Sequence, residues 1–162
     1  MQLRITTDYA IRLLLCLGVG SARKTAEELS EEIAIPKPSV IKIMARLKGK
    51  GWVAAQEGMR GGYVLKVPLS SITLLEILQT MEETIRINRC IDEDEYCSRF
   101  ATRNCPMRNA YVYLQDILEG LLWSLTLEKV VEGDLSALDA AHAIACISEK
   151  NKPRRTRAAD GK

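Results

Sequence analysis

A chain of 162 residues with a net charge of +2, 47% apolar and 27% charged side chains, has room for one well-cored domain or a small domain with a helical extension. One Phe and two Trp argue against an aromatic-rich sandwich, and no apolar run approaches the ~18 residues of a membrane span. The opening MQLRITTDYA lacks the order of a secretory signal, so a cytoplasmic location is expected, and the odd count of five cysteines then favours metal or redox chemistry over a disulfide framework.

Charge is segregated along the chain. Residues 1–67 carry +5, residues 68–150 carry −7 and residues 151–162 carry +4. Only the two ends suit a polyanionic partner.

In chain order, residues 6–19 place Ala10, Leu13, Leu14 and Leu17 at helical spacing, with Thr6 or Thr7 able to cap and Asp8 in the first turn. Cys16 falls in this apolar stretch and reads as a small core residue. Residues 24–53 predict two short helices around an Ile-Pro-Lys-Pro break. Thr25 and Glu28 form a capping box for the first, and Pro38 starts the second, where Val40, Ile43, Met44 and Leu47 form the core face. Ser39, Lys42 and Arg46 remain on the outer face, a pattern shared by helix-turn-helix units that enter the major groove and by plain helical hairpins with a solvated basic side.

The piece that follows, residues 51–67, alternates around a Gly-rich turn: Val53 and Ala55 on one strand, Tyr63, Val64, Leu65 and Val67 on the other, and Arg60 in the turn. A hairpin directly after a basic helix is a wing whose tip reaches a phosphate or a minor groove. From Pro68 a further helix runs toward Cys90-Ile-Asp-Glu-Asp-Glu-Tyr-Cys97-Ser-Arg-Phe-Ala-Thr-Arg-Asn-Cys105. Three thiols in so polar a stretch read as ligands for zinc or an iron–sulfur cluster. Beyond them, Ala110, Tyr113, Leu114, Ile117, Leu121, Leu122, Leu125 and Leu127 form a stripe too large for a small winged domain to cover, which predicts a dimerisation helix.

With these residues in view, the chain resembles the IscR/NsrR-type family of bacterial winged-helix iron–sulfur transcription regulators. The likeness rests on LRITTDYAIRLLLCL, IAIPKPSVIKIMARLKGKGWV, GMRGGYVL and the three cysteines before the long helix, and spans residues 1 to about 131. It implies a mostly α fold, a winged helix-turn-helix domain with a long dimerisation helix, and a homodimer on double-stranded promoter DNA controlled by cluster state. It also implies ligation by Cys90, Cys97 and Cys105. Three residues after the third cysteine, where the iron–sulfur-assembly regulators carry a histidine, this chain has Arg108. The nitric-oxide-sensing branch instead takes a carboxylate from the first helix, which falls here on Asp8. The cysteine spacings are longer than in either branch, which leaves open both the fourth ligand and the nuclearity, [2Fe–2S] or [4Fe–4S].

The expected organisation is a winged helix-turn-helix domain at 1–67, a linking helix at 68–89, a cysteine loop at 90–105, a dimerisation helix at 106–131, an extra helix at 132–150 and a basic tail at 151–162. Ser39, Lys42, Arg46 and Arg60 are the DNA-binding candidates, and Cys90, Cys97, Cys105 and Asp8 the metal candidates. His142, the one histidine, lies past the dimerisation helix and is set aside. A winged-helix regulator with a structural zinc or a thiol–disulfide switch and no iron is the competing reading. An enzyme is not expected, since no Cys-x-x-Cys pair, dinucleotide fingerprint or nucleophile–base arrangement is present.

Overall fold

The computed structural model describes residues 3–20, 23–56, 58, 61–99 and 104–134. Helix α1 (Ile5–Gly20) buries Thr7, Ala10, Leu13, Leu14 and Leu17 along one face. It starts earlier than the threonine caps predicted. Thr7 is 0% exposed, and its hydroxyl donates to the Glu82 carboxylate far along the chain.

Helix α2 (Ala26–Glu32) opens on the predicted capping box: the Glu28 amide donates to Thr25 Oγ1 at 3.2 Å and the Thr25 amide to Glu28 Oε2 at 2.7 Å. It ends in a turn where Ala34 takes a left-handed φ of +53°. The Ser30 hydroxyl donates to the Ile35 carbonyl at 2.6 Å and helps hold that turn. Pro36 leads into α3 (Lys37–Gly49), which buries Val40, Ile43, Met44 and Leu47. Burial of each such side chain contributes about 1.5–3 kcal/mol. That face fixes the rotation of α3 and leaves its basic side outward.

Two antiparallel strands follow, β1 (Val53–Gln56) and β2 (Gly62–Leu65), with Val53 opposite Leu65 and Gln56 opposite Gly62. Val67, expected in the second strand, lies beyond it. The free edge of β2 is partly covered by the α1–α2 connection: the Lys24 amide donates to Tyr63 O at 3.1 Å and the Tyr63 amide to Lys24 O at 2.8 Å. Gly62 is required by this approach, because a Cβ there would stand 2.7 Å from the Lys24 carbonyl oxygen.

The expected linking helix over 68–89 is shorter than predicted. Helix α4 (Leu74–Met81) has its own capping box, Thr73 with Glu76, and residues 82–88 carry no regular structure. The long helix is shorter as well: α5 (Pro106–Ser124) stops, and a separate α6 (Leu127–Glu132) begins under the Thr126 cap. The cause is tertiary. Leu125 and Thr126 turn extended and pair with the entry to α4, with the Leu74 amide donating to Leu125 O and the Leu127 amide to Ile72 O, both at 2.9 Å.

One core joins α1, α2, α3, β1, Ile72, Ile77, Met81 and Leu127. A smaller cluster of Leu75, Leu78 and Ile85 receives Leu122 of α5. Leu122, Leu125 and Leu127, expected on the outward stripe, are therefore spent inside the protomer. No helix among the described residues is long and apolar enough to cross a membrane. Residues 135–162, with the expected remainder of the extra helix, the basic tail, His142 and Cys146, lie outside the described residues.

Candidate DNA-reading face and cysteine pocket

The outward face of α3 carries Lys42, exposed, with Ser39 half-buried near its start. The Ser39 amide donates to Pro36 O at 2.8 Å, so its position is set by the first turn. Arg46 is exposed on the outer face as expected, and it also has a partner within the protomer. Its guanidinium donates to the Met81 carbonyl at 3.1 Å, which makes it a tie between α3 and the end of α4. Ile41, 48% exposed, and Lys48 stand on the outer side, and sequence reasoning missed both. The signal was present for Ile41, an apolar residue left over once Val40, Ile43, Met44 and Leu47 had filled the core face. An apolar side chain there can meet a thymine methyl. Arg60, the wing-tip candidate, lies outside the described residues, while Arg23 donates to Gln56 Oε1 at 2.9 Å beside the wing.

Cys90, Cys97 and Cys105 line one pocket of about 370 Å³ with Tyr96, Arg108 and Tyr111. Each thiol is placed by a local device or a neighbour. Cys90 sits in a short 3₁₀ turn, where its amide donates to Asn88 Oδ1 at 3.1 Å. Cys105 is the residue before Pro106 and caps α5 with an extended backbone. All three are half-buried.

Arg108, standing where the resemblance looks for a histidine, holds the loop: its Nε donates to Cys90 O at 3.2 Å and its other arm pairs with Glu95 at 2.7 Å. Arg89 pairs with Asp94 at 2.6 Å and stacks over the Tyr96 ring at 4.5 Å. That guanidinium holds the Asp94 carboxyl below its usual range. These acidic residues are thus spent on arginines. Among the described residues no three of His, Cys, Asp and Glu form a ready-made metal group. The thiols share a pocket without a preformed ligand geometry. Their donor chemistry suits a soft metal or an iron–sulfur cluster.

Asp8, the fourth expected ligand, is half-exposed on the first turn of α1 and pairs with Arg12 at 2.7 Å. It does not line the cysteine pocket of its own chain. Cys16 packs against the core as expected, and in addition the Lys24 ammonium lies 3.3 Å from its sulfur. Burial pushes this thiol above its ordinary value, with a contribution in the same direction from Glu32, and Lys24 acts against both.

The family model for Rrf2, described as an iron-dependent transcriptional regulator, matches residues 3–133. The chain belongs to the Rrf2 family. An Aquifex aeolicus (strain VF5) protein described as an HTH-type transcriptional regulator is 25% identical over 127 residues, covering 78% of this chain and 88% of that protein. Among solved structures, T. potens IscR superposes with a TM-score of 0.64 at 16% identity, covering 85% of this chain and 90% of IscR. The oxidized form of Staphylococcus aureus CymR superposes with a TM-score of 0.62 at 18% identity, covering 82% of this chain and 97% of CymR. The mostly helical winged fold is therefore that of Rrf2 regulators. As an Rrf2 regulator the chain binds DNA, and its relatives are transcriptional regulators, not enzymes.

Proposed function

We propose that this Rrf2 protein is a homodimeric repressor whose grip on promoter DNA is set by an iron–sulfur cluster held at Cys90, Cys97 and Cys105. The observation that carries the reading is the convergence of all three thiols on one pocket at the start of α5, in a chain that matches an iron-dependent regulator family. A bound [2Fe–2S] or [4Fe–4S] cluster would supply an iron centre responsive to nitric oxide, oxygen or iron supply. The partner subunit's Asp8 is the fourth ligand in this reading. Its exposure on α1 and its absence from the pocket of its own chain fit a ligand delivered across the dimer, at the cost of its ion pair with Arg12.

The dimer seam is the outer face of α5. Met107, Ala110, Leu114, Ile117 and Leu121 recur at alternating three- and four-residue steps, and among the described residues no element covers Met107 or Leu114, each more than half exposed. On DNA, Lys42 neutralises phosphate, Ser39 and Ile41 face the groove, Arg60 extends the wing, and Arg46 keeps α3 in register with α4.

The test is an optical spectrum of protein purified without oxygen, with iron, sulfide and zinc counts, on wild type and Asp8→Ala. Visible absorption with matching iron and sulfide, weakened in Asp8→Ala while the dimer persists, is the expected result. A cluster of unchanged stability in Asp8→Ala refutes the carboxylate ligand. A second reading, a thiol or zinc switch, is favoured by the similarity to CymR in its oxidized form. Colourless protein that takes up no iron on reconstitution selects it.

A further inference from the structure

Residues 82–88 run without regular structure from the end of α4 toward Cys90, and side chains from three other helices fix this strap. At its start, Arg46 of α3 holds the Met81 carbonyl. The Glu82 side chain, only 8% exposed, accepts the Arg4 amide at 3.0 Å and the hydroxyl of buried Thr7, both at the N-terminal end of α1. In its middle, Gln115 of α5 is 2% exposed and accepts from the Ile87 amide at 2.9 Å while donating to the Ile85 carbonyl at 3.3 Å. One side-chain amide thus replaces a strand neighbour for backbone groups that would otherwise lack partners.

The peptide that enters Cys90 is therefore tied at one end to α1 and the DNA-reading helix, and in its middle to α5. Gln115 touches neither the pocket nor the reading face of α3. A buried amide with so many backbone bonds is a rigid joint, because sliding the strap past it strands a donor and an acceptor together.

We infer that Gln115 is the positioning residue that passes the state of the cysteine pocket to α3, with the contact between Thr7 and Glu82 as the last link. This rests on the regulator reading above. A shift at Cys90 moves Ile87, Ile85 and Gln115 as one body, and Glu82 and Met81 carry that shift to Thr7 and Arg46.

The test compares full-length wild type, Gln115→Met and Thr7→Val, each with the cysteine pocket intact and as Cys90→Ser/Cys97→Ser/Cys105→Ser. The readout is the ratio of Kd values between pocket-intact and pocket-emptied protein, on a duplex that wild type selects from a random library. Wild type is expected to show a ratio in the ~5–150-fold range usual for coupled sites, and Gln115→Met a ratio within about twofold of one. The expectation includes wild-type metal content and dimerisation in both variants, since neither substitution touches a thiol or the outer face of α5. A merely structural role would weaken both pocket states equally and leave the ratio unchanged.

An unchanged ratio in folded Gln115→Met overturns the inference, as does a wild-type ratio of one. If Gln115→Met does not fold, Thr7→Val alone decides on the same criterion. If wild type proves to carry zinc or bare thiols, the iron reading fails while the ratio still measures this coupling.

Discussion

Truncating Leu114 to Ala tests the α5 seam most directly. Leu114 is 51% exposed in the protomer, so about half of its surface remains to be covered. Full burial of a leucine contributes about 1.5–3 kcal/mol, which leaves ~1 kcal/mol per side chain for the association step. An isologous two-fold interface uses the residue twice, so the substitution costs about 2 kcal/mol of dimer stability. That corresponds to a roughly 30-fold weaker dimer constant. Sedimentation equilibrium over a concentration series measures it directly, and urea unfolding with an unchanged slope shows that the protomer is intact. Val112→Ala is the control: two residues away, it is turned ~160° around the helix and is only 37% exposed. A Leu114→Ala dimer constant within threefold of wild type, or an equal effect of Val112→Ala, refutes the assignment of the seam.

Lys42→Ala should weaken DNA binding almost uniformly across sequences and lower the slope of log K against log salt by about one, read from titrations at several salt concentrations. Thr25→Ala removes the α2 cap and should cost ~1 kcal/mol in urea denaturation, with Thr25→Ser restoring most of it. Stability should also fall in acid. Arg4 beside Glu83, the backbone amide of Thr25 beside Glu28, and Arg89 beside Asp94 hold these carboxyls below their ordinary values. A depressed folded value gives stabilisation that is present above the unfolded pKa and is lost as pH falls through the folded one. The urea midpoint should therefore drop from about pH 5 downward, and Glu83→Gln should flatten that drop. Equal acid sensitivity in Glu83→Gln would remove the pair with Arg4 from the explanation.

The reading domain was legible because its signals are local. Helical spacing picked out Leu13, Leu14, Leu17, Val40, Ile43, Met44 and Leu47, all buried, and the Thr25 capping box is present as read. The same Thr-x-x-Glu pattern at Thr73 and Glu76 was equally available and marks the true start of α4. The three thiols stood out in the sequence by their polar setting, and they line one pocket.

What was not legible depends on partners far along the chain. Nothing in LLWSLTL announces the break after Ser124, which exists because Leu125 and Leu127 find backbone partners at Leu74 and Ile72. Thr7 looked like a cap because its true acceptor is 75 residues away. Helical periodicity put Arg46 on the outer face, where it is exposed, but its bond to the Met81 carbonyl depends on the packing of α4.

The backbone pairing of Thr73 with Thr126 turns the segment from α4 to the end of α5 into a closed ring. An arm fastened to its base at both ends can twist as a unit, but it cannot swing like a gate. Any change in the angle between two such arms then appears as a change of phase around the DNA axis rather than as a bend within one protomer. The fastening is made by main-chain hydrogen bonds, and the buried side chains of Ile72 and Leu127 reinforce it from the core. Proline at position 74 or 127 would delete a donor N–H and open the ring, giving a regulator with intact reading heads and an unlatched arm.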